Sequence, residues 1–72
     1  MSEPSTMMVR VNGKDREVPR GITVLGLLES LELNPLLVVV EHNREVLERG
    51  RFGETPVEEE DVLELVHFVG GG

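Results

Sequence analysis

A two-layer α+β fold, with one helix laid on one face of a mixed β-sheet in the order β-β-α-β-(β)-β, is predicted by three observations in this 72-residue chain. An alternating apolar stretch runs into Asn12-Gly13 and returns through a charged stretch, which is the signature of a hairpin. A single segment carries apolar residues at helical spacing. Two further valine-rich stretches, over 37–43 and 62–68, are too short for ordinary helices and suit strands.

Each element has its own justification. In 7–11, Met7, Val9 and Val11 alternate with Met8 and Arg10, the period of a half-buried strand. Asn12-Gly13 tolerates the positive φ angles of a tight hairpin turn. The return strand, 15–18, is weakly apolar and charged, which predicts an edge strand, and Pro19 closes it because proline cannot donate to a ladder. Thr23 is the expected N-cap of the helix, with Ile22 and Leu27 placed as a hydrophobic staple. Val24, Leu27, Leu28 and Leu31 form its apolar stripe, and Leu25 widens it. Gly26 inside this helix costs about 1 kcal/mol relative to alanine, which points to a close approach to the sheet. Asn34-Pro35 is expected to end the helix near 31–33, after about ten residues. The 37–43 stretch is apolar on both faces at first, as an interior strand is. Val46-Leu47 predicts a brief fourth strand, 49–56 a loop, and Glu58-Glu59-Glu60-Asp61 a solvated acidic turn. A β-grasp arrangement, with the first and last strands paired in the centre, lets one short helix be buried by one sheet.

The last strand then becomes informative. If Leu63 and Leu65 face the helix, Val62, Val66 and Phe68 point to the other face, which has no second helix to cover it. Met8 joins them in a predicted exposed apolar patch for docking a partner, with Val69 continuing it.

Composition excludes several classes of function. Without cysteine there is no disulfide, thiolate metal site, iron–sulfur cluster or cysteine nucleophile. A net charge of −7 argues against nucleic acid and anionic membranes as partners. Eleven of the fourteen acidic residues lie from Glu29 onward, a distribution that suits either solubility or steering toward a basic partner. No signal segment is recognisable and no apolar run is long enough to span a bilayer, so a cytoplasmic monomer is expected. His42 and His67, the only histidines, have no serine or cysteine at catalytic spacing. The acidic run lacks the alternating ligands and glycine of an EF-hand, and no glycine-rich phosphate loop precedes a helix. By elimination the chain is not itself an enzyme and binds no metal or cofactor of its own.

Three glycines, Gly70, Gly71 and Gly72, follow directly on the last strand and Val69. They read either as a frayed end or as a side-chain-free peptide that threads into a partner's narrow active site and presents a carboxylate. On that reading the domain spans 7–68, between a disordered extension over 1–6 and a flexible reactive tail over 69–72.

The segment Ile22-Thr23-Val24-Leu25-Gly26-Leu27-Leu28-Glu29-Ser30-Leu31, the stretches 37–43 and 62–66, and the ending Phe68-Val69-Gly70-Gly71-Gly72 resemble the ThiS-type sulfur carriers of thiamin biosynthesis. The resemblance covers nearly the whole chain after Thr6. It implies a ubiquitin-like β-grasp fold. It implies that the Gly72 carboxylate is adenylated with ATP by a ThiF-type enzyme and converted to a thiocarboxylate. The sulfur would come from a cysteine desulfurase or rhodanese type of donor and pass to a ThiG-type thiazole synthase. Two positions depart from the family pattern: Asn43-Arg44 where Asn-Gly is frequent, and Glu60-Asp61 where Gly-Asp is frequent, both in turns that prefer glycine. Carriers serving molybdopterin or tRNA thiolation share this chemistry, a protein modifier shares the ending, and an inert β-grasp module shares the fold.

Overall fold

The computed structural model describes residues 4–68, and the elements below are drawn from these. Strand β1 (Thr6–Val11) turns at Asn12-Gly13 into β2 (Lys14–Pro19), and helix α1 (Val24–Ser30) follows. A 3₁₀ turn (Pro35–Leu37) leads into β3 (Val38–His42), β4 (Glu45–Leu47), a 3₁₀ helix (Arg49–Glu54) and β5 (Val62–His67). The sheet order is β2-β1-β5-β3-β4, with β1 and β5 parallel and the other pairs antiparallel. First and last strands are therefore central neighbours and β2 is an edge, as the hairpin, the charge pattern and the single helix predict. This is the β-grasp topology.

The core lies between α1 and one sheet face. Met7, Val9, Val11, Val18, Val38, Val40, Leu63 and Leu65 meet Val24, Leu27 and Leu28 there. Burial alternates along β1 and along β5 as far as Val66, because a pleated strand sends successive side chains to opposite faces, and His67 at the end of β5 is exposed.

Several expectations need correction. β1 begins at Thr6, inside the predicted extension, and Pro4 and Ser5 before it are hydrogen-bonded. The Arg20 side chain donates to the Pro4 carbonyl at 2.8 Å and its backbone N–H to that of Ser5 at 2.9 Å. Residues 1–3 lie outside the described range.

The helix has seven residues rather than about ten. Its N-terminus is as predicted: Thr23 Oγ1 accepts from the Gly26 N–H at 3.0 Å. Its C-terminus is set before Asn34-Pro35 is reached. Glu32 adopts a left-handed conformation (φ 59°), its N–H donates to the Glu29 carbonyl, and the Leu33 N–H donates to that of Leu28. These are the paired bonds of a Schellman motif, with glutamate where glycine is usual. Asn34 instead caps the 3₁₀ turn, accepting from the Leu36 N–H at 2.9 Å. β3 accordingly starts at Val38.

Gly26 does not owe its place to the sheet. A Cβ there would meet Cγ1 of Ile22 at 3.0 Å, so the glycine makes room for the Ile22 side chain lying over the first turn.

Within the predicted 49–56 loop, Arg49–Glu54 form a 3₁₀ helix, and its Phe52 is in the core together with Val57. Residues flanking it pin the start of α1: Val24 N–H donates to Thr55, and Val57 N–H to Ile22, both at 2.9 Å.

A strand held from both sides and an open face

β5 is positioned by two turns that reach it from opposite flanks. In the β1–β2 turn, Asn12 (φ 51°) and Gly13 (φ 81°) both adopt left-handed backbone. The Asn12 side chain then continues the ladder where β1 ends. Its Oδ1 accepts from the Leu65 N–H at 2.7 Å and its Nδ2 donates to the Leu65 carbonyl at 3.2 Å, while its backbone N–H donates to Leu63. In the β3–β4 turn, Asn43 (φ 52°) and Arg44 (φ 73°) repeat the conformation. Asn43 exchanges hydrogen bonds with Val62, accepting at Oδ1 and donating from its backbone N–H at 2.9 and 2.8 Å.

Asp61 fastens the start of the strand. It is the one buried charged residue among those described, which corrects the expectation that the acidic turn is wholly solvated. Its Oδ2 lies 2.7 Å from His42 Nε2 and accepts from the Glu58 N–H at 2.8 Å, and its Oδ1 accepts from Asn43 Nδ2 at 3.1 Å. Burial pushes this carboxyl upward. The hydrogen bonds from His42, the Glu58 backbone and Asn43, with the charge of His42, outweigh burial and hold it below its ordinary value. The neighbouring Glu60 takes a left-handed conformation (φ 69°) to make this turn. Among the described residues no three His, Cys, Asp or Glu side chains converge as a metal site would need.

The face of the sheet away from α1 is open. Val62, Val66 and Phe68 point to it, as predicted, and Phe68 and Val66 are each 54% exposed. Val66 pairs with Val39 across β3, and the Phe68 N–H donates to the Leu37 carbonyl at 2.7 Å, tying down the last described residue. Val39 and Val46, which the sequence reading did not assign to this face, belong to it, because Glu41 pairs with Val46 and alternates with Val39. Met8 is on the same face but apart from Phe68. Its carbonyl accepts from Glu60, so it lies level with the start of β5, eight residues and about 26 Å along the strand direction from Phe68. With Val62 and Arg10 it lines a separate groove of about 390 Å³. The predicted single patch is thus two, a Val39–Val66–Phe68 patch near the last described residue and a Met8–Val62 groove at the far end. Val69, Gly70, Gly71 and Gly72, the other predicted docking and tail residues, lie outside the described residues.

The fold and the open face define a protein of the ubiquitin-like β-grasp class. A sequence model of the ThiS family matches residues 9–72. The chain belongs to the ThiS family. It is 41% identical over 66 residues to the sulfur carrier protein ThiS of Bacillus subtilis, covering 90% of this chain and all of that protein. A crystal structure of the thiamine biosynthesis protein ThiS from Geobacter metallireducens superimposes with a TM-score of 0.78 at 40% identity, covering 92% of this chain and the whole of the other. A thiazole synthase of Magnetococcus marinus is also 41% identical over 66 residues, which is 92% of this chain. The chain spans a fifth of the length of that enzyme, so the likeness is to one domain of it.

Proposed function

We propose that this protein is a sulfur carrier for thiazole formation in thiamin biosynthesis, acting as a protein co-substrate of other enzymes. The observation that carries the reading is the match of the family over residues 9–72, which takes in the glycine ending beyond a strand clasped on both flanks. The Gly72 carboxylate is the reacting group. A free carboxylate resists nucleophilic attack because an oxide would have to leave. Its oxygen attacks the α-phosphorus of ATP on a ThiF-type enzyme, and pyrophosphate departs. The outer sulfur of a persulfide on a desulfurase or rhodanese type of donor then attacks the acyl carbon and expels AMP, forming an acyl disulfide. A thiol reductant cleaves its S–S bond to leave the thiocarboxylate and return the donor's thiol. Glycines at 70 and 71 offer no Cβ to obstruct an extended channel. The Val39–Val66–Phe68 patch supplies the docking contact. The likeness of the chain to one domain of a thiazole synthase supports an enzyme of that ThiG type as the acceptor.

Incubation with a ThiF-type enzyme, ATP and a sulfur donor is expected to exchange one oxygen for sulfur at Gly72, read by mass spectrometry of the C-terminal peptide. Deleting Gly72 removes the exchange without unfolding the domain, since the described core ends before it. An unchanged mass, with the enzyme active on a control carrier, eliminates this function; conjugates to target lysines instead identify a protein modifier.

A further inference from the structure

Glu41 and Glu64 stand directly opposite each other on β3 and β5, and both point to the open face. Directly opposed residues in an antiparallel pair hold their Cβ atoms about 5 Å apart, close enough for like charges to destabilise the sheet. Neither carboxylate has a hydrogen bond or ion pair among the described residues. The neighbouring cation on this face, Arg10, is engaged with Asp15 at 3.4 Å. Around the two charges stand the exposed side chains of Val39, Val46, Val62 and Val66. Val39 and Val66 form the adjacent cross-strand pair, Val46 faces Glu41 from β4, and Val62 shares the β5 face with Glu64. An apolar surface thus carries an uncompensated like-charge pair near its middle, an arrangement from which the free domain gains nothing.

We propose that the partner of this face is basic at one point: the adenylating enzyme presents an apolar surface with a single cationic side chain that inserts between the Glu41 and Glu64 carboxylates. This rests on the docking role given above to the Val39–Val66–Phe68 patch, which Glu41 and Glu64 adjoin. The surrounding valines exclude water as the surfaces meet, which strengthens the attraction relative to an exposed ion pair. A guanidinium suits the place, because its planar fork donates to two carboxylates at once. The net charge of −7 draws such a partner in before contact.

The test pairs stability with affinity, using purified carrier and a ThiF-type enzyme in titration calorimetry at two salt concentrations. Converting both residues, Glu41→Gln with Glu64→Gln, is expected to raise the melting temperature of the free carrier by about 2–4 °C by removing the repulsion. The same change weakens docking about tenfold at low salt and flattens its salt dependence. Glu41→Lys, which places a cation opposite Glu64, stabilises the carrier and weakens docking further. Phe68→Asp serves as the control for the face itself and is expected to weaken docking with the salt dependence retained. If Phe68→Asp weakens docking while the glutamine pair leaves affinity and salt dependence unchanged, the charge inference is overturned and the docking face stands. If neither weakens docking, the docking face falls and this inference with it.

Discussion

The β1–β2 and β3–β4 turns grip the same strand from opposite flanks, each with an asparagine at φ near 50°, yet their second residues differ. Gly13 enters the left-handed region freely. Arg44 pays about 1–2 kcal/mol for it, because its Cβ crowds the following carbonyl. The strained turn is also the more heavily bonded one. Each asparagine makes three hydrogen bonds, but one of Asn43's goes to Asp61, which is held in addition by His42 and the Glu58 N–H. The relaxed turn relies on its glycine and on Asn12 alone. Backbone strain persists where surrounding contacts over-determine a conformation, and the contrast between the turns is an instance of that rule.

The comparison breaks most readily at Asn12. Asn12→Ala leaves the N–H and carbonyl of Leu65 without partners and forces alanine into a left-handed position, so we expect a loss of about 2–4 kcal/mol in urea unfolding. A loss below about 1 kcal/mol would show that Asn12 does not carry the first clasp.

The second clasp is tested through Asp61. Because its folded-state carboxyl is held below the ordinary value of 3.8, its stabilising contribution is fully present above that pH and is lost as pH falls from 3.8 through the lower folded value. Asp61→Asn is expected to lower stability by about 1–2 kcal/mol at pH 7 by weakening the charge-assisted hydrogen bonds to His42, Asn43 and the Glu58 N–H, with the gap to the native chain closing below that range. A gap of equal size at pH 7 and pH 2.5 would contradict the charge-based account.

The smallest effect sharpens the contrast in turn strain. Arg44→Gly should stabilise by about 0.5–1 kcal/mol, the relief of strain being partly offset by the greater freedom of glycine in the unfolded chain. Gly13→Ala should destabilise by about 1 kcal/mol at the equivalent site. Equal and negligible effects at both positions would remove strain as the distinction between the turns.

Much of the fold was legible in residue patterns because those patterns report local physics. Alternation in β1, Asn12-Gly13, the Thr23 cap and the charges of β2 each state a preference that the structure then satisfies. Phe52 and Val57 were not legible as core. Each is an isolated apolar residue in an irregular segment, and a single residue has no period. The helix end was misplaced because Glu32 carries no composition signal for the left-handed conformation that stops α1. The open apolar face was legible as a parity argument along β5, but parity gives the side of the sheet and not the position along it, so it does not separate Met8 from Phe68.

By itself the sequence determined the order of strands and helix, the faces that bury their side chains, the glycine ending and the family to which the chain belongs. These follow from periodicity, turn chemistry and residue identity, all of them properties of neighbours in the chain. Only the tertiary structure decided that Asn12 and Asn43 clasp β5, that Asp61 is a buried fastening, and that Glu41 and Glu64 oppose each other on an open apolar face. Those relations depend on strand register, which brings together residues from 18 to 53 positions apart, and no local preference encodes it.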